Sequence, residues 1–164
     1  MDLPGEGSAA TSGQPQRFKT RGRACLYTGG ARANLPGPMR KVIATPEAPA
    51  AVGPYSQAIA VGNTLYCAGQ IPLDPQTGDL VAGGVAEQTT RVLENVGGVL
   101  RANGMNYGHV VKATVFMTNL AHFAEMNAVY EKFFAAPYPA RSTIQVAGLP
   151  RGAQVEIEVV AVAG

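Results

Sequence analysis

Cysteine and histidine are scarce in this sequence: Cys25, Cys67, His109 and His122 are all that its 164 residues hold. One cysteine falls in the first 40 residues and the other beyond them, so residues 41–164 can form no internal disulfide. No Cys-x-x-Cys or paired Cys/His spacing supports a metal site. No apolar run approaches the ~18 residues of a membrane span. Basic charge is also short where it would matter. The formal net charge is +2, but residues 1–40 carry six Lys/Arg against Asp2 and Glu6, while residues 41–164 carry seven against nine acids. A mildly acidic body with no basic groove and no aromatic ladder argues against a nucleic-acid-binding class.

What is present divides at about residue 40. Residues 1–40 mix Gly, Pro, Ala, Ser and Arg without a sustained amphipathic period. Such a segment buries too little apolar surface to offset its ordering entropy, so a disordered head is expected. After Glu6 the head contains no acid, the composition of an organellar (plastid or mitochondrial) targeting segment. It has no continuous apolar core of the secretory kind. An ordinary extension on a cytoplasmic protein is the competing reading. Residues 41–164 are the length of one domain.

Within that domain, "KVIA" reads as a short strand, and "YSQAIAVGNTLYCAGQ" as two strands joined at Gly62-Asn63. "DPQTGD" is a turn. Residues 85–103 are helical by period, with Val85, Val92, Val96, Val99 and Leu100 on one stripe, and Gly104 stops them. Gly97 and Gly98 weaken that helix, for which close packing on a sheet is the expected reason. "HVVKATVFMT" is a strand. "AHFAEMNAVYEKFF" is a second helix, with Phe123, Met126, Tyr130 and Phe133 at helical spacing, ended by Pro137 and Pro139. Two further strands flank "GLPRG". The order βββαβαββ predicts an α+β fold: a six-stranded mixed sheet with both helices on one face.

The last two strands carry charge at apolar surroundings. Paired as a hairpin, with Ile144 and Val146 matched to Val155, Ile157 and Val159, they place Arg141, Thr143 and Gln145 on the helix-free face with Glu156 and Glu158. Two readings fit this pattern. One is a solvated face with cross-strand ion pairs, worth ~0.2–1 kcal/mol each. The other is a site, with arginine holding a carboxylate by its fork and a glutamate moving a proton or orienting water.

The motifs "APAAVGPYSQAI", "AGQIPLDPQTG", "VVKATVFMTNLAHFAEMNAVYEKFF", "PARST" and "VEIEVVAV" together resemble the RidA family, also called YjgF, over about Lys41 to Gly164. The resemblance implies a chorismate-mutase-like fold and a homotrimer with sites at its subunit interfaces. It implies hydrolysis of enamine/imine intermediates, chiefly 2-aminoacrylate and 2-aminocrotonate, to a 2-keto acid and ammonia. These intermediates escape from pyridoxal-phosphate dehydratases; the deaminase itself needs no cofactor. On the matching residues, Arg141 holds the substrate carboxylate and Glu156 orients the attacking water. Tyr55 lines the pocket, Gly69 offers backbone contacts, and Asn127 supports the interface.

Two positions depart from the family pattern: Ala68 stands where many members have serine, and Thr143 where many have cysteine. Thr143 remains a candidate pocket residue, with its side-chain role altered. Each residue also has a plainer reading. Tyr55 caps a core edge, Gly69 makes a bulge, and Asn127 satisfies a buried carbonyl. Cys67 is a small core hydrophobe, and Glu158 the outer half of an ion pair. Two other functions compete: a ribonuclease or translation inhibitor, and a non-enzymatic chaperone or regulatory partner.

Overall fold

The computed structural model describes residues 39–164. The targeting or disordered character expected of the head therefore lies outside the described residues. Eight regular elements follow in the expected order: β1 (Arg40–Ile43), β2 (Ala58–Val61), β3 (Thr64–Gln70), α1 (Val85–Ala102), β4 (Val110–Met117), α2 (Phe123–Phe133), β5 (Ala140–Gln145) and β6 (Val155–Val162). Among the described residues no helix is long and apolar enough to cross a membrane.

The six strands form one sheet in the order β1-β2-β3-β6-β4-β5. All neighbours are antiparallel except β4 and β5, which α2 joins as a parallel crossover. The β2–β3 hairpin turns at Gly62, whose φ of 58° is left-handed and suits glycine. The 74–79 turn is closed by the Asp74 carboxylate, which accepts from the Gln76 and Thr77 amides. The α1 start is capped by Glu87, whose carboxylate accepts from the Gly84 amide at 2.8 Å.

One expectation fails in an informative way. β5 and β6 do not pair with each other, because β4 lies between them. β6 fills the gap between β3 and β4 and makes ladders with both. A local hairpin would have left the inner edges of β3 and β4 without partners, and buried backbone groups need partners. The sequence fits this outcome. "VEIEVVAV" carries enough branched apolar residues for a central strand, whereas "ARSTIQ" is polar enough for an edge.

The core follows from the register. Val155, Ile157, Val159 and Ala161 of β6 oppose Met117, Val115, Ala113 and Val110 of β4, and all eight are buried. Val92, Leu93, Val96, Val99 and Leu100 of α1 and Met126 and Tyr130 of α2 cover this face. Burial of each such side chain contributes ~1.5–3 kcal/mol relative to exposure. The glycines of α1 have a different reason from the one expected. A Cβ on Gly98 would stand 2.7 Å from the Glu47 carbonyl oxygen, and one on Gly97 would press on the Tyr107 ring hydroxyl. The close approach is to the loop after β1 and the turn before β4, not to the sheet.

Candidate functional site

The register also decides where the charged residues go. On β5, Arg141 and Thr143 oppose Ala113 and Val115, the core-facing residues of β4. On β6, Glu156 and Glu158 oppose Phe116 and Thr114, which face the other way. Arg141 and Thr143 therefore lie on the helix side, and the two glutamates on the helix-free side. This corrects the single-face placement drawn from a β5–β6 hairpin. It also removes the reading of Arg141 and these glutamates as cross-strand ion pairs. Two strand spacings and a three-residue offset separate the Cα atoms of Arg141 and Glu156 by about 14 Å, with side chains on opposite faces. One chain thus holds two separate clusters.

The first cluster sits at the β5 edge. The Arg141 Nη2 donates to Asn127 Oδ1 at 2.8 Å. Its guanidinium carbon lies 4.5 Å from the Tyr130 ring centroid and 5.6 Å from that of Phe123. Arg141, Asn127, Tyr130, Glu131, Tyr138 and Pro139 line a cavity of about 290 Å³. Asn127 is thus a partner of the arginine rather than of a backbone carbonyl. Thr143 lies two residues along the same side of the strand, half-buried.

The second cluster forms around an irregularity in β3. Cys67 pairs with Val159 and Gln70 with Ile157, so three steps on β3 match two on β6. The extra residue makes a bulge at Ala68-Gly69. There the backbone passes so close to Glu156 that a Cβ on Gly69 would overlap its Oε1 and stand 2.8 Å from its Cδ. Gly69 is therefore both bulge and close approach. Burial, and then the charge of Glu158, push the Glu156 carboxyl above its ordinary value. Tyr55 (54% exposed), Gly69, Gln70, Ile71 and Arg151 line a cavity of about 280 Å³ that meets this cluster at Gly69. Tyr55 is a wall, not a core cap. Burial, then the charge of Glu158, push the Cys67 thiol up to about 12, which disfavours its thiolate.

Sequence reasoning missed several residues that shape these clusters. Gln57 is buried; its Oε1 accepts from the Thr45 amide at 2.7 Å, and its Nε2 lies within donating distance of the Thr45, Ala48 and Pro49 carbonyls. It fixes the 45–50 loop beside Tyr55. Its signal is the glutamine of "GPYSQ", two residues after Tyr55. Tyr130 and Phe123 read as core by their spacing; no pattern announced that they meet an arginine. Arg151 sits at φ 60°, a left-handed conformation that non-glycine residues rarely adopt.

Comparison with known proteins gives consistent findings. A family model described as "Endoribonuclease L-PSP" matches residues 45–163. A 2-iminobutanoate/2-iminopropanoate deaminase of Bos taurus is 49% identical over 126 residues, 77% of this chain and 92% of that protein. Reactive Intermediate Deaminase A, chloroplastic, of Arabidopsis thaliana is 48% identical over 122 residues, 74% of this chain and 65% of that one. Among solved structures, E. coli TdcF with bound serine matches with a TM-score of 0.73 and 45% identity, covering 76% of this chain and 99% of TdcF.

Proposed function

Since the chain belongs to the endoribonuclease L-PSP family, the RidA/YjgF proteins, we propose that it is a hydrolytic deaminase of reactive imines. The substrates are 2-aminoacrylate and 2-aminocrotonate, through their imine forms, and the products a 2-keto acid and ammonia. The relatives described as 2-iminobutanoate/2-iminopropanoate deaminase support this reading. A relative solved with serine bound supports a ligand of that size with a carboxylate. The observation that carries the proposal within this chain is Arg141, held by Asn127 at the wall of a cavity.

The chemistry divides between the two clusters. The substrate carboxylate binds the Arg141 fork through parallel charge-assisted hydrogen bonds. Water adds to the carbon of the protonated C=N bond, and its proton passes to Glu156. The same carboxyl returns that proton to nitrogen; the C–N bond then breaks with its electron pair on the departing ammonia, and the hydroxyl proton passes back to the Glu156 carboxylate as the C=O bond forms. A carboxyl held above its ordinary value is suited to both transfers, because its proton affinity lies closer to neutral pH. Gly69 leaves room for that carboxylate, and Tyr55 closes the wall beside it. Thr143 offers a hydroxyl near the carboxylate end.

A complete site needs both clusters, and one chain keeps them on opposite faces. The assembly we propose is a homotrimer in which the Arg141 cluster of one subunit meets the Glu156 cluster of the next. A head-to-tail contact of this kind must close into a ring or continue as a fibre. The helix-free sheet face supports burial by a neighbour: Val42 is 61%, Tyr66 53% and Ile144 46% exposed there. For residues 1–40 we propose an organellar targeting role, which the relative described as chloroplastic supports. The ribonuclease reading rests on the family description and on solved relatives described only as a "putative endoribonuclease", and salt-sensitive RNA binding by a chain starting at Met39 would revive it.

The test is Arg141→Lys, assayed by keto-acid release from freshly generated 2-aminoacrylate. Lysine keeps the charge and loses the fork, so kcat/KM should fall about 100-fold while the fold survives. A near-normal rate would show that Arg141 is not the carboxylate clamp.

A further inference from the structure

An arginine on an edge strand is a poor clamp unless something fixes its plane. Its side chain has several rotatable bonds, and β5 is paired on one side only. A fork receives a carboxylate well only when both N–H groups lie in one plane with it. The structure supplies that plane from α2. Phe123, Asn127 and Tyr130 are spaced four and three residues apart, so they share one stripe of the helix. All three meet the same guanidinium, at 5.6 Å, 2.8 Å and 4.5 Å respectively.

Each contact removes a different freedom. The ring faces attract the cation and restrict its tilt. The amide oxygen of Asn127 takes one N–H and restricts rotation within the plane. The Tyr130 ring is itself immobile: it is 4% exposed and stacked on Phe134 at 4.3 Å between centroids, 22° from parallel. Its hydroxyl is buried and has no hydrogen-bond partner among the described residues. Tyrosine is thus present at a position where the ring alone accounts for the contact with Arg141.

We propose that the Phe123–Asn127–Tyr130 stripe is a holder that fixes the plane of the Arg141 guanidinium and so sets the affinity for the substrate carboxylate. This rests on the deaminase reading. Phe123 and Tyr130 are positioning residues, since they act through Arg141. The carboxylate does not react, so its contact with the fork is equally strong in the bound substrate and in the transition state. Loosening the holder should therefore raise KM and leave kcat little changed.

The experiment compares Phe123→Leu, Tyr130→Leu and Tyr130→Phe. Phe123 is half-exposed, so its replacement leaves the core intact if Tyr130→Leu fails to fold. Three quantities are read: KM and kcat for 2-aminoacrylate, the Kd of pyruvate by calorimetry, and the NMR resonance of the Arg141 Nε–H. Phe123→Leu should raise KM and the pyruvate Kd about threefold to tenfold, the range of one lost ring–cation contact. The Nε–H resonance should lose its ring-current displacement. Tyr130→Phe, which keeps the ring, should retain the KM and resonance that Tyr130→Leu loses. Unchanged KM, Kd and resonance in Phe123→Leu, in an enzyme that deaminates, overturns the holder and leaves the deaminase reading standing. A wild-type protein that releases no keto acid overturns the deaminase reading instead. The resonance then decides the holder by itself: a ring-current displacement lost in Phe123→Leu supports it, and an undisplaced wild-type signal overturns it.

Discussion

The close approach of Gly69 to Glu156 makes a one-methyl perturbation informative. The Gly69 backbone is outside the left-handed region, so alanine is conformationally allowed there. Its Cβ would stand 2.8 Å from the Glu156 Cδ and overlap Oε1. Ordinary contact needs ~3.5–4 Å between carbons, so the carboxyl group must retreat by about 1 Å. It can do so cheaply within the subunit, because Glu156 is half-buried and lies on the helix-free face of the sheet, away from the core. The fold should therefore survive, with a loss of under about 1 kcal/mol. Catalysis should not: a misplacement of about 1 Å at a reacting group costs about 100-fold, or about 2.7 kcal/mol of activation free energy. The loss should appear in kcat, since Arg141 and its cavity are untouched. The assay is pyruvate release from 2-aminoacrylate generated in solution, with thermal melting alongside. A Gly69→Ala protein with kcat within twofold of wild type would mean that Glu156 does not act from its observed position. A rise in KM alone would mean that Gly69 serves through its own backbone contact with substrate.

Two further outcomes follow from buried groups. Glu156 binds its proton more tightly folded than unfolded, so stability falls as pH rises from the ordinary value of 4.5 through its raised folded value. Glu156→Gln should therefore melt higher than wild type at pH 7, with the gap closing at pH 4, while the deamination rate drops ~100-fold or more; a lower melting temperature at pH 7 would contradict the burial account. Gln57→Leu strips the 45–50 loop of its side-chain hydrogen bonds and should cost about 3 kcal/mol in denaturant unfolding, with a larger KM through the displaced Tyr55 wall; a loss below about 1 kcal/mol would show that water replaces the amide.

Local signals in the sequence were enough for the elements and poor for their arrangement. Gly62-Asn63 announced the first hairpin, and the valine stripe announced α1, because each depends on neighbours in sequence. The place of β6 was hidden because it depends on competition. "GLPRG" suits a hairpin locally, but β3 and β4 both needed a partner, and only the whole sheet shows that. That one misreading moved Arg141 and Thr143 to the wrong face, since a change of partner strand resets which residues align. The contact of Asn127 with Arg141 arises from the α2 crossover, which no spacing in the sequence announces. Glu156 was placed correctly, because the alternation within "VEIEVVAV" survives any choice of neighbour.

The division of Arg141 and Glu156 between opposite faces has a consequence for inheritance as well as chemistry. When each site takes one wall from one chain and one from the next, a defect in either wall damages a different copy of the site. In the proposed assembly, two alleles, one lacking the arginine and one lacking the glutamate, would each be inactive alone. Co-expressed and mixed at random in a closed ring, they rebuild about a quarter of the junctions with both walls intact. If the proposed ring is the active form, such a cell would carry no intact gene and still clear the imine.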